Sequence, residues 1–243
     1  MEDSSTLCVV PARGGSKGLT GKNKRLFFGK PLVWWTLRFC EELELGNFVL
    51  SSDDEEILAL GREFSGCLSV RRPKHLATDT AGDQGVILHS VDAAEYEYGR
   101  EFDRVLFLQP TAPGREIEVV KSALRIHGSL PKPINSSMWS VQMSPLKFHP
   151  QKQISSLGGR YFVNRDGDTP PRRQDLHPTY IRTGDFYILG REAISDPFLV
   201  GSELHIFELQ NETINIDTLE DFERAERLLD ISGNLLTRKD IVS

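Results

Sequence analysis

Leu7-Cys8-Val9-Val10-Pro11-Ala12-Arg13-Gly14-Gly15-Ser16-Lys17-Gly18-Leu19-Thr20-Gly21-Lys22-Asn23-Lys24-Arg25 is the stretch on which the fold turns. Its first four residues form an unbroken apolar run, the pattern of a strand buried on both faces, and Pro11 cuts it short. Four glycines and five cations follow within the quoted stretch. The glycines let the backbone bend so that several N–H groups converge on an anion, and the cations supply the charge that a triphosphate demands. Pro31 then opens a helix in which Leu32, Trp35, Phe39 and Leu43 recur at helical spacing. A strand, a phosphate-binding loop and a helix make the first unit of an α/β sheet, whose ligands gather beyond the carboxyl ends of the strands.

The same alternation continues outward. Phe48 to Ser51 is a second strand, and Ser52 with Glu55 three residues on predicts a capping box for the next helix. Val86, Ile87, Ser90, Val91 and Ala94 mark a helix, Val105 to Leu108 a strand, and Glu116 to Ile126 a helix with Ile117, Val120 and Leu124 inward. Strands return at Phe186 to Leu189 and Leu204 to Glu208, and a last helix, capped by Thr218 and Asp221, carries Leu219, Phe222, Ala225 and Leu228. The expectation is an α/β fold, a doubly wound and mostly parallel (mixed) sheet covered on both faces.

At 243 residues, the chain suffices for one large core and is short for two, so residues 1–243 are expected to form a single domain. Between about Ser144 and Pro178, Pro, Gly, Gln and Arg dominate and hydrophobic periodicity is poor, which predicts an insertion (144–178) projecting from the sheet. A net charge of −6 argues against a protein that coats nucleic acid. The three cysteines, Cys8, Cys40 and Cys67, show neither metal nor disulfide spacing and read as buried free thiols in a reducing compartment. No run approaches the roughly 20 apolar residues of a membrane span, and the first apolar run is too short for a signal peptide, so a cytoplasmic protein without membrane contact is expected. The histidines lack metal spacing and any nucleophile context, which leaves them surface or structural roles.

Counting excludes two familiar phosphate loops. The NTPase pattern requires Gly where Ser16 stands and Ser or Thr where Asn23 stands, and the dinucleotide fingerprint finds no register. What remains is a loop in which Gly turns and Arg and Lys side chains wrap a nucleoside triphosphate. Pro11 to Gly18 followed by Gly21-Lys22-Asn23 closely resembles the opening motif of the acylneuraminate cytidylyltransferases, or CMP-sialic acid synthetases. The related enzymes for Kdo, a shorter acidic sugar, differ here, with an aromatic residue and Ser-Thr-Arg in place of Gly-Gly-Ser-Lys.

The resemblance extends over nearly the whole chain. Arg72-Pro73 and Leu76 to Ala81 look like the segment that lines base and ribose, which implies cytidine contacts for Arg72, Ala81 and Asp83; a small hydroxyl residue is common at the position of Asp83, so the acid departs from the pattern. Asp79 and Thr80 also suit a helix N-cap. Leu108-Gln109-Pro110-Thr111-Ala112-Pro113-Gly114-Arg115 is similar to the family's Leu-Gln-Pro-Thr-Ser-Pro-Leu-Arg signature, and Gln109 is expected to orient the acceptor. Pro145-Leu146-Lys147 and Arg172 to Leu176 resemble the family's dimerisation lobe, which reaches over a neighbouring subunit's site; Lys147 and Arg173 are the candidates for the sugar carboxylate. Tyr180 to Ile188 resembles a strand that brings Arg182 to the acceptor, with Thr183 and Asp185 as departures. Ile214-Asn215-Ile216-Asp217-Thr218 stands where relatives have Asp-Ile-Asp, and alternate residues of an extended segment face one way, so Asn215 and Asp217 are the candidate metal ligands.

The resemblance implies a nucleotidyltransferase-type fold, a homodimer, and transfer of CMP from CTP to the anomeric hydroxyl of a nonulosonic acid with release of pyrophosphate. Arg13, Lys22 and Asp217 are the expected catalytic residues, with Mg2+ on Asp217 and Asn215. Ala12, Arg13, Gly14, Gly15, Ser16, Lys22 and Asn23 are expected to hold the nucleotide. Two other readings stay open: a nucleotidyltransferase for another acidic sugar such as Kdo, and a sugar-nucleotide-binding protein without catalysis.

Overall fold

The computed structural model describes residues 5–15, 18–78, 80–164, 172, 174, 176–232 and 235–238. Along the chain come β1 (Thr6–Pro11), a small hairpin of β2 (Leu26–Phe27) and β3 (Lys30–Pro31), α1 (Leu32–Leu43), β4 (Phe48–Ser52), α2 (Glu55–Leu60), β5 (Cys67–Arg71), α3 (Asp83–Tyr98), β6 (Arg104–Phe107) and α4 (Ile117–Gly128). The second half holds β7 (Ser136–Met143), β8 (Ile154–Leu157), β9 (Arg160–Val163), β10 (Tyr180–Gly190), β11 (Glu203–Glu208), α5 (Leu219–Leu228), β12 (Leu229–Ser232) and β13 (Leu235–Arg238).

Seven strands form one sheet in the order β11-β7-β10-β6-β1-β4-β5. β1 pairs in parallel with β4 and β6, and β10 alone runs antiparallel to both its neighbours. The alternation of β1 shows why its run is continuously apolar. Cys8 and Val10 pack with Leu37 and Leu43 of α1 and Val120 and Leu124 of α4, whereas Leu7 and Val9 face Ile87, Val91 and Ala94 of α3. A third cluster joins Phe27, Trp35, Ile216, Phe222 and Leu229, and this cluster docks α5 and the C-terminal hairpin beside the first loop.

Several strands go beyond the sequence expectation, among them β5, β7 and β13. β7 hides behind serines: Ser136, Ser137 and Ser140 are at most 1% exposed, and each hydroxyl donates to a main-chain carbonyl, of Lys132, Leu199 and Phe186 respectively. β5 is a half-buried edge strand, and β13 pairs with β12 outside the main sheet. Among the described residues no helix is long and apolar enough to cross a membrane.

The cap of α2 differs from the expected Ser52 and Glu55 box. Ser52 is still in the ladder, opposite Arg71, and fully buried, so the helix cannot begin there. Asp54 takes the position instead, and its Oδ1 accepts from the N–H of Glu56 at 2.9 Å and of Ile57 at 3.2 Å. Asp54→Ala is therefore expected to cost about 1 kcal/mol of stability, measured as a lower midpoint in urea at unchanged slope.

After β7 the chain leaves the sheet, makes turns at Leu146–Phe148 and Pro150–Lys152, and forms the β8–β9 hairpin over Gly158 and Gly159, both at positive φ. It returns as the first residues of β10, which pair with Met143 to Val141. The hairpin is largely solvent-facing, with Leu157 76% and Tyr161 79% exposed.

Candidate active site

At the carboxyl edge of β1 and β6 lies a cavity of about 410 Å³. Arg13, Gly15, Lys22 and Asn23 line one wall, Arg72, Thr78, Ala81 and Asp83 the second, and Gln109, Thr111, Asn215 and Asp217 the third. Segments far apart in sequence thus converge on a volume suited to a nucleotide-sized ligand.

The loop is held by its own side chains. Asn23 is buried, and its Nδ2 donates to the carbonyl of Arg13 at 2.9 Å, which fixes the main chain that carries the guanidinium. Ala12 is fully buried and donates its N–H to Ser51; like Gly14 it is absent from the cavity lining. The Gly14 N–H donates to Asp53 Oδ1 at 2.9 Å, and a Cβ at Gly14 would come within 2.8 Å of the Asp54 side chain. Glycine is required there by close approach. Ser16 lies outside the described residues.

Lys22 reaches across to the last wall. Its ammonium donates to the Ile216 carbonyl at 2.6 Å and to Asp217 Oδ1 at 2.9 Å. Ile216 is fully buried and donates its N–H to the Thr111 carbonyl at 2.7 Å, so the flanking Asn215 and Asp217 face outward together. Asn215 Nδ2 lies 3.1 Å from Asp217 Oδ2. A Cβ at Gly18 would sit 2.4 Å from the Asp217 carbonyl oxygen, so the loop packs against this segment only through a glycine.

Arg72 is buried at the end of β5, donating through Nε to Ser51 Oγ (3.2 Å) and through Nη2 to the Ser51 carbonyl (3.0 Å). Burial pushes its pKa down, against the charges of Asp53 and Asp83. Asp83 opens α3, where burial raises its pKa and the nearby Arg72 and Arg182 oppose the rise. The helix cap is Gly82, with no side-chain bond, and Thr80 instead meets Thr78 at 3.3 Å; Asp79 is outside the described residues. Arg182 lies beside the cavity, its guanidinium 5.3 Å from the centroid of the Trp139 ring.

One described sequence candidate is not brought here. Lys147 sits in the excursion after β7 with its ammonium over the Phe148 ring at 4.8 Å, and it does not line this chain's cavity. Arg173 lies outside the described residues. A larger opening of about 820 Å³ at the far end of the sheet contains none of the candidates; its Arg125 stands in the last turn of α4, where a cation complements the helix carboxyl end.

The family model described as "Cytidylyltransferase" matches residues 7–239. The chain belongs to the cytidylyltransferase family. The CMP-N,N'-diacetyllegionaminic acid synthase of Legionella pneumophila is 32% identical to it, over 95% of this chain and 98% of that one. The pseudaminic acid cytidylyltransferase of Campylobacter jejuni is 28% identical, over 93% and 97%. A solved structure of CMP:2-keto-3-deoxy-manno-octonic acid synthetase complexed with CTP superposes with a TM-score of 0.62 at 15% identity, covering 92% of this chain and 97% of that one, which is a likeness of fold.

In this cytidylyltransferase the donors for a divalent cation are few. Among the described residues no three His, Cys, Asp or Glu side chains form a group. One carboxylate, Asp217, and one amide, Asn215, fit Mg2+, which takes one or two carboxylates together with substrate phosphates and water. The ammonium of Lys22 already lies against Asp217 Oδ1, so the position is one that attracts positive charge.

Sequence reading passed over Arg115, Asp53, Thr78 and Thr111. Arg115 is 5% exposed and donates to the main-chain carbonyls of Gln109 and Asp185. Its match to the final Arg of the family's Leu-Gln-Pro-Thr-Ser-Pro-Leu-Arg signature marks it, but assigns it no role.

Proposed function

We propose that this cytidylyltransferase transfers CMP from CTP to the anomeric hydroxyl of a nonulosonic acid of the sialic acid type and releases pyrophosphate. The observation that carries the reading is the meeting of Arg13, Lys22 and Asn23 with Gln109 and the Asn215 and Asp217 pair around one cavity. Two relatives, a CMP-N,N'-diacetyllegionaminic acid synthase and a pseudaminic acid cytidylyltransferase, support it.

The anomeric oxygen forms its bond to the α-phosphorus as the bond from that phosphorus to the β-phosphate oxygen breaks, and the hydroxyl proton leaves to solvent. Charge grows on the departing pyrophosphate, and Arg13, Lys22 and the loop N–H groups are placed to stabilise it. Gln109 orients the acceptor, and Arg72, Ala81 and Asp83 hold the nucleoside. Mg2+ held by Asp217 and Asn215 would, when bound, neutralise phosphate oxygens and lower the pKa of the attacking hydroxyl. The enzyme works in the cytoplasm, where CTP is supplied.

Pyrophosphate release from CTP, measured against N-acetylneuraminate, legionaminate, pseudaminate and Kdo, tests the reading. Release with one of the nine-carbon acids is expected. Release with Kdo alone would transfer the enzyme to that substrate, and CTP binding without release would make it a binding protein.

The same reading makes the protein a homodimer joined through the excursion after β7. Ile154, Leu157, Tyr161 and Phe162 expose apolar area on a two-stranded hairpin, an arrangement normally stabilised by burial against a partner. Leu157→Asp with Tyr161→Asp should convert a dimer into a monomer in sedimentation equilibrium; a monomeric parent protein would end the proposal. If Arg173 and Lys147 serve the neighbouring site, mixing Arg173→Ala and Arg13→Ala subunits should restore activity that neither has alone.

A further inference from the structure

We propose that Arg115 is a positioning residue for the sugar acid, a buried clamp that fixes the main chain on which Gln109 and Gly184 meet. The inference rests on Gln109 as the acceptor's hydrogen-bonding residue. Arg115 cannot touch a ligand in the catalytic cavity, since it is 5% exposed and does not line it. Its three kinds of nitrogen are all engaged elsewhere: Nε donates to the Asp185 carbonyl, Nη2 to the Gln109 carbonyl and Nη1 to Thr36 Oγ1 at 3.3 Å. The guanidinium thereby ties the turn after β6 to β10 and to α1.

The partners matter because of where they stand. Gln109 lines the cavity with its side chain while its carbonyl is held from behind. Gly184, at φ +77°, lies so close that a Cβ there would be 3.2 Å from Gln109 Oε1, and Gly184 is the immediate neighbour of Asp185. One guanidinium thus sets the Gln109 side chain twice, through its own main chain and through the residue it leans on.

Regular sheet pairing does not provide this fixation. The register of β10 on β7 shifts between Arg182 and Tyr187, and within that interval Ser140 Oγ bonds both the N–H (3.0 Å) and the carbonyl (2.9 Å) of Phe186. Arg115 adds the hold on the Asp185 carbonyl, while Thr183 Oγ1 accepts the Asp185 N–H at 3.4 Å and Arg238 lies 3.5 Å from its carboxylate. Burial pushes its pKa down to about 10, with Asp185 opposing the shift, so the charge is kept at a cost. An apolar side chain of similar length would fill the space with less desolvation. A planar fork reaches both β10 and the turn after β6 at once in a fixed geometry, which the point charge of an ammonium does not reproduce.

The test is Arg115→Lys in the full-length enzyme. The KM for the sugar acid is expected to rise about tenfold or more, because a small misplacement of an orienting group is costly, while the Kd of CTP measured alone by calorimetry stays within about twofold. In the Gln109→Ala background, Arg115→Lys should add nothing further, since it acts through that side chain. Equal losses for both substrates, or effects that multiply in the double variant, would overturn the proposal. Should Arg115→Lys fail to fold, Thr36→Val loosens the same guanidinium by one bond. A two- to threefold rise in the acceptor's KM alone, about the value of a weak bond, supports the clamp, and no change overturns it. If Gln109→Ala itself leaves the acceptor's KM unchanged, the underlying reading of Gln109 fails; if it raises KM and Arg115→Lys does not, only the clamp fails.

Discussion

Arg13→Ala should lower turnover by about two orders of magnitude or more, by analogy with the loss of one preorganised donor from an oxyanion site. Arg13 follows the end of β1 and lines the cavity where the triphosphate is proposed to lie. Its main chain is held independently, because Asn23 donates to the Arg13 carbonyl and Ala12 to the Ser51 carbonyl. Alanine therefore removes the charge without releasing the loop. Thermal stability should be nearly unchanged, and the loss should appear in kcat more than in the KM for CTP, since charge on the leaving phosphates grows during the reaction. Turnover within a fewfold of the parent would remove Arg13 from the site. Asn23→Ala makes a useful contrast, because it should both reduce turnover and loosen the loop.

The frame of the fold was legible wherever burial follows a simple period. β1, β4, β6 and the inward faces of α1, α3, α4 and α5 carry apolar residues at strand or helix spacing, and the buried residues of α3 are the five that periodicity selects. Legibility failed where polar groups are buried and satisfied. β7 reads as polar because Ser136, Ser137 and Ser140 spend their hydroxyls on carbonyls, a pairing with no signature in sequence. The cap of α2 was misplaced by two residues because a ladder partner, Arg71, extends β4 through Ser52, and strand pairing is non-local. The sequence singled out the loop and the Asn215 to Asp217 segment, but their contact was not legible. It depends on Gly18 approaching the Asp217 carbonyl and on Lys22 crossing 195 positions to an ion pair. Arg115 was given no role because two of its partners are main-chain carbonyls, which every sequence has, and the third, Thr36, is 79 positions away.

If Mg2+ binds as proposed, Asp217→Asn should lower turnover by about a hundredfold or more, because it removes the carboxylate that, among the described residues, is proposed to hold the cation. Stability should barely move. The Asp217 side chain is 64% exposed, so its pairing with Lys22 is screened, and Lys22 keeps its bond to the Ile216 carbonyl. The neighbouring position provides the opposite change. Asn215→Asp places a second carboxylate beside Asp217 Oδ2, where the amide now sits at 3.1 Å, and without a cation the two acids repel. With Mg2+ present they complete a stronger donor pair, so this variant should reach half-maximal activity at lower Mg2+ than the parent and should bind Mn2+ more tightly in a titration read by electron paramagnetic resonance. Gly18→Ala offers a geometric control, since its Cβ would collide with the Asp217 carbonyl at 2.4 Å and should impair the same step with the carboxylate intact. If Asp217→Asn remains fully active in the presence of a chelator, the acid serves only as the counter-ion of Lys22, and the reaction depends on the cations of the loop alone.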